Sequence, residues 1–196
     1  MAASTWRIPQ IPVLRVPRSS GPANLFHIYY TPVFAPWRRD REYLTPNNIH
    51  YLKLMDSYQN MPQDTLRWQV VANTAVKEVP MAVMRERLRR RVREGFREGL
   101  KEMGYDSNGN VLEGNQAAEK SSKVLKGTLE IHCRGGAGLD CQFADIVNHC
   151  KSTVDAVRSL DWNRSKSGIA GSKGEWWRLA ATSHRPLERE PQKAGI

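Results

Sequence analysis

Apolar residues return at every fourth position between Met84 and Leu100, through Leu88, Val92 and Phe96. The position after each is basic: Arg85, Arg89, Arg93, Arg97 and Lys101. The third position is acidic except at Arg90. Residues four apart stack on one face of a helix, so this pattern predicts a long helix over 80–103. Pro80 suits its first residue and Gly104 its C′ residue. A period of four outruns 3.6 residues per turn, so the apolar ridge drifts by about 40° per repeat. Gly95 and Gly99 fall on the fourth position of two repeats and each costs roughly 1 kcal/mol of helix propensity. Such a cost predicts that backbone or RNA approaches this face closely. Arg89, Arg90 and Arg91 form an apparent excess of charge without partners.

Weaker patterns surround this helix. Residues 25–37 are aromatic and apolar but broken by Pro32 and Pro36, which suits an extended segment anchoring an arm. Ile49, Leu52, Met55 and Tyr58 recur every third position, predicting a short helix over 48–59. Residues 65–79 fit strand and helix alike, and Trp68 and Val70 tip 66–72 toward strand. Residues 105–116 are turn-rich, and 117–125 suit a weak helix. Thr128–Cys133 alternates as a strand with Leu129 and Ile131 on one face. Asp140 suits the cap of a second amphipathic helix to Leu160, whose face is Phe143, Ile146, Val147, Cys150, Val154, Val157 and Leu160.

These elements predict a helix-dominated α+β fold, a small sheet covered by two amphipathic helices. The expected layout is a basic, Pro-rich arm or organelle-targeting segment over 1–39, a compact domain over 40–161, and a basic C-terminal tail over 162–196.

Charge sharpens this layout. The 196-residue chain carries a formal net charge of +10 and a pI near 9.8. Residues 1–39 hold five Arg and no acid, 80–103 hold eight basic and four acidic residues, and 161–196 hold seven and four. The stretches 40–79 and 104–160 each carry one net negative charge. The excess therefore sits in two tails and one helix, a distribution suited to neutralising phosphates around a near-neutral body. The N-terminal stretch, rich in Arg and Ser with its first acid at Asp40, has the composition of a mitochondrial or chloroplast transit peptide. Pro9, Pro12, Pro17 and Pro22 fit equally an extended arm lying on a partner.

Candidate chemistry is sparse. Asp106, Asn108 and Asn110 match the first ligands of a calcium loop, but Val111 and Ala117 stand where its glycine and bidentate acid belong, so a turn is expected. Gly135, Gly136, Ala137 and Gly138 lack the spacing of a phosphate loop. Cys133, Cys141, Cys150, His132 and His149 lack the short spacings of structural zinc sites. No metal or other cofactor is expected. Three cysteines without a framework suit free thiols in a reducing compartment. No local signature marks a nucleophile or an acid–base pair, so no enzyme is expected. No apolar run approaches the roughly 18 residues of a membrane-spanning helix.

The expected contacts to RNA or another polyanion are Arg85, Arg89, Arg90, Arg91, Arg93, Arg97 and Lys101 on the long helix. Arg38 and Arg39 join them from the N-terminal side, and Arg164, Lys166, Lys173 and Arg178 from the tail. Trp37, Trp162, Trp176 and Trp177, beside basic residues, are the expected partner anchors. The function this predicts is a structural accessory subunit of an organellar ribonucleoprotein, with a mitochondrial ribosomal protein in the matrix as the leading case. Ribosomal RNA and neighbouring ribosomal proteins would be its partners, and it is not expected to act as a free monomer. The alternative is a mitochondrial assembly factor or accessory subunit of a respiratory-chain complex, its basic helix on an acidic protein or cardiolipin-rich surface.

Overall fold

The computed structural model describes residues 13–14, 25–45, 47–62, 64–72, 79–112, 124–134 and 136–159. Its elements are β1 (Val13–Leu14), β2 (Phe26–Thr31), a 3-10 helix (Arg38–Tyr43), α1 (Tyr51–Gln59), β3 (Leu66–Val71), α2 (Ala82–Glu102), β4 (Gly127–Cys133), α3 (Ala137–Asp140) and α4 (Phe143–Ser159). The fold is α+β. Three strands in the order β2-β4-β3 make the body of the sheet, with the two-residue β1 beside β2. β2 and β4 run antiparallel, whereas β3 and β4 run parallel with α2 as their crossover.

Alternation along the strands divides the sheet into two faces. Ile28, Tyr30, Leu66, Val70, Leu129, Ile131 and Cys133 face one side and merge with Leu88, Val92, Phe96, Leu100, Ile146, Cys150, Val154 and Val157 into one core. The ridge residues Leu88, Val92, Phe96 and Leu100 are completely buried. Trp68 extends the contact, its ring 4.7 Å from that of Phe96.

A second, smaller core covers part of the other face. It joins Phe34, Trp37 and Leu44 to Tyr51, Met55 and Tyr58 of α1. Thr128 ties this layer down: its hydroxyl accepts from Ala35 N at 3.0 Å and donates to Ala35 O at 3.2 Å.

Several expectations change here. Residues 25–39 are not an arm: β2 is an inner strand between β1 and β4, and Phe34 to Trp37 are buried. The reason is the strict alternation of Phe26, Ile28 and Tyr30, whose side chains only the helix layer can cover. The expectation of an extended arm over 1–24 lies almost wholly outside the described residues, as do the weak helix at 117–125, apart from its last two residues, and the tail beyond Ser159. The buried face of α1 is Tyr51, Met55 and Tyr58, while Ile49 and Leu52 are 91% and 76% exposed. Here a four-residue spacing toward the second core outcompetes the three-residue spacing through Ile49.

Both long helices start later than expected. Val79–Met81 is not helical, because the residue before a proline is driven away from helical angles. Arg85 then turns back and donates to the Val79 and Pro80 carbonyls, so α2 begins at Ala82. Asp140 closes the short α3 and caps nothing further, because Cys141 is extended and α4 begins at Phe143. Gly104 does follow α2, with a φ of 84° that suits glycine.

Candidate functional site

The glycines of α2 answer the first question about its surface. A β-carbon on Gly95 would stand 2.6 Å from Ile146 Cγ2, and one on Gly99 would stand 3.2 Å from Cys150 Cβ and 3.4 Å from the Lys151 backbone nitrogen. The close approach is therefore α4, and no RNA can reach that side of the helix. Lys151 of α4 also pairs with Glu102 at the end of α2.

The arginine run is likewise engaged. Arg89 and Arg90 share the carboxylate of Glu86, at 2.5 and 3.2 Å. Partial burial would raise that carboxyl, but the Arg90 and Arg89 partners outweigh it and hold it below its usual value. Arg91 crosses to the α3–α4 connection and donates to the carbonyls of Leu139, at 2.9 Å, and Cys141. It fills acceptors that the end of α3 would leave bare. The supposed excess at 89–91 is thus two paired side chains and one tether.

What α2 presents to solvent is a different set. Arg87, Arg90, Glu94, Arg97 and Lys101 are exposed. Their spacing of three, four, three and four keeps them within a stripe about 80° wide, directly opposite the buried ridge. Arg87, Arg97 and Lys101 make no ion pair with a described residue. The repeat-by-repeat reading missed Arg87, which occupies a different position within its repeat from Arg85, Arg89 and Arg93. A helical-wheel projection finds it. Conversely the basic second positions wind from the core side at Arg85 to the solvent side at Lys101, and Arg89 and Arg93 are half-buried on the way.

The other candidate residues lie on the opposite side of the sheet. Trp37, expected to anchor a partner, is 8% exposed and packs within its own chain. The Arg67 guanidinium sits 4.0 Å over the Trp37 ring, 4.6 Å over Tyr58 and 5.3 Å over Phe34. Tyr58 accepts from Trp37 N at 3.0 Å and donates to Asp40 at 2.7 Å. Arg39 pairs with the same Asp40 at 3.2 Å. Arg38 is exposed, with its guanidinium 4.1 Å over the ring of Tyr29.

Beneath Arg38 lies an acid that periodicity alone did not single out. Glu130, at the centre of β4, is 1% exposed. Its carboxylate accepts from the Arg38 backbone N–H at 2.7 Å and from Gln69 Nε2 at 3.2 Å, and lies 2.8 Å from His132 Nε2. Burial pushes the carboxyl up, but the His132 hydrogen bond, the Arg38 N–H, the His132 charge and the Gln69 amide outweigh it and hold the carboxyl below its ordinary value. The signal was an acid midway along a strand, between Leu129 and Ile131 and hence on the opposite face.

Arg164, Lys166, Lys173, Arg178, Trp162, Trp176 and Trp177 lie outside the described residues. Asp106 closes a turn as expected, accepting from the backbone N–H groups of Asn108 and Asn110 at 2.8 Å. Cys133, Cys141 and Cys150 are free thiols. Among the described residues, no cluster of three or more His, Cys, Asp or Glu could hold a metal ion, and no helix is long and apolar enough to cross a membrane.

No protein family, curated protein or solved structure matches this chain.

Proposed function

We propose that this protein is a structural, RNA-associated accessory subunit of an organellar ribonucleoprotein, with a mitochondrial ribosome as the leading case. The observation that carries this reading is the outward stripe of Arg87, Arg90, Arg97 and Lys101 on α2, a helix with eight basic and four acidic residues. The stripe runs for about 21 Å along the helix, enough to meet several successive phosphates. The buried ridge seats α2 on the core from behind, so the helix positions that carry these cations are fixed by the fold. The acid-free composition of residues 1–24, with Arg7, Arg15 and Arg18, supports import into mitochondria.

An accessory subunit or assembly factor of a respiratory-chain complex is the second reading. Exposed Ile49 just before α1 and Leu52 on it, and Met81 and Val83 at the start of α2, favour it as surfaces that suit a protein partner.

Co-sedimentation of the native protein from mitochondrial lysate separates the two. The first reading expects migration with a ribosomal subunit and RNA binding that weakens steeply with salt. Replacing Arg97 and Lys101 with Gln should flatten the dependence of log K on log salt by about 1.4 on single strands. Indifference to RNA at low salt, with co-isolation of inner-membrane complexes, overturns it.

A further inference from the structure

Among the described residues, the second sheet face is only partly covered. The 3-10 helix and α1 roof its Thr128 and Arg67 end. Toward the other end the alternation of β2 and β4 brings His27, Tyr29, His132 and Arg134 onto the same surface. His27 and His132 are direct cross-strand partners, as are Tyr29 and Glu130. His27 and Arg134 are exposed, and Tyr29 is half-buried. The Tyr29 and His132 rings meet edge-on, with centroids 4.8 Å apart. The Arg38 guanidinium carbon lies 4.1 Å over the Tyr29 ring, so the surface carries a guanidinium–phenol cation–π pair flanked by two imidazoles and a second guanidinium.

This arrangement is built from beneath. Glu130 fixes the Arg38 backbone through its N–H, orients His132, and is itself steadied by Gln69. A planar cation held over an aromatic ring offers its solvent side to another flat, electron-rich ring. Nucleobases are such rings, and single-stranded RNA is commonly read by stacking on aromatic and guanidinium planes. The surrounding charge favours the adjoining phosphates. Arg38 and Arg134 are cationic, and the Glu130 carboxylate beneath them is engaged by His132, the Arg38 N–H and Gln69.

We propose that Arg38 and Tyr29, with His27, His132 and Arg134 around them, form a base-stacking platform for single-stranded RNA, separate from the phosphate-binding stripe on α2. This rests on the RNA-associated reading above. The platform and the stripe lie on opposite sides of the body, because one is on the sheet face away from α2 and α4 and the other on the α2 face away from the sheet. The protein would then sit between two RNA segments, gripping one by its phosphates and the other by its bases.

The test uses the full chain, a labelled single-stranded RNA oligonucleotide, and a matching abasic ribose-phosphate strand, titrated at low salt. The platform predicts that the base-bearing strand binds about fivefold or more tighter than the abasic one. Arg38→Lys, which keeps the charge but loses the plane, should abolish that preference without changing abasic binding or the melting temperature. His27→Ala should reduce it. Arg97→Gln with Lys101→Gln should weaken both strands alike. If the preference is absent, or survives Arg38→Lys, the platform is wrong while α2-dependent binding keeps the proposed function. If neither strand binds, both fail.

Discussion

Gly95 of α2 faces Ile146 of α4 so closely that a β-carbon on the glycine would stand 2.6 Å from the isoleucine Cγ2. The contact places α4 where the sequence alone left backbone or RNA as the close approach. It also fixes what a substitution must do. Ile146 is completely buried and β-branched, so its methyl has little freedom to turn away. Gly95→Val should destabilise the protein by about 2–3 kcal/mol, read as a lower urea midpoint. An unchanged midpoint would mean that the two helices do not pack at this distance.

Neighbouring arginines should behave oppositely. Arg90 is an exposed partner of Glu86, whereas Arg91 satisfies the carbonyls of Leu139 and Cys141. Arg91→Gln should cost about 1–3 kcal/mol of stability, since hydrogen bonds to a charged donor are lost and acceptors are left bare. Arg90→Gln should cost at most a few tenths. Thermal melting of the two single variants decides this, and equal shifts would contradict the tether.

Acid should weaken the fold in two steps. Burial lowers the His149 imidazole below its ordinary value of 6.5, where it packs edge-on to Phe26 at 5.1 Å. A depressed group contributes stability that is fully present above its unfolded value and is lost as pH falls through the folded one. The His149 contribution should therefore begin to fade below about pH 6.5. Glu130, held below its ordinary 4.5, obeys the same sign and should add a second decline below about pH 4.5. Unfolding free energies measured from pH 8 to 3 should show both, and Glu130→Gln should reduce the lower one, to which Glu86 and Asp106 also contribute. A flat profile in the Gln-insensitive range would contradict the burial of His149.

The thiols should divide two to one. Burial pushes the Cys133 thiol up to about 12 and raises Cys150 as well. Cys141 is raised too, by burial, but is half-exposed and lies beside Arg91. A thiol reagent at pH 8 should label Cys141 in the native protein, and Cys133 and Cys150 only after unfolding. Native labelling of all three would show that the core opens.

Where side-chain period and secondary structure coincide, the sequence was sufficient. The ridge from Leu88 to Leu100, the strand at Thr128, the turn at Asp106 and the stop at Gly104 follow from local rules, because each depends on neighbours within a few residues, whereas residues 65–79 fitted strand and helix alike. The same rules misplaced Ile49 and Leu52, since a short helix with apolar residues on two sides is oriented only by what it docks against. They missed Arg87 because a four-residue repeat and a 3.6-residue helix part company over five turns.

The chain by itself therefore determined that a basic amphipathic helix and a small sheet share one α+β body, with its excess charge on that helix and at the termini. Which charges are spoken for was decided only in three dimensions. Arg91 reaches an acceptor 48 residues away, and Glu130 draws donors from β3, β4 and the 3-10 helix. Partners so distant in sequence are chosen by packing, because hydrogen bonds act over about 3 Å and only the folded core brings those atoms within that range.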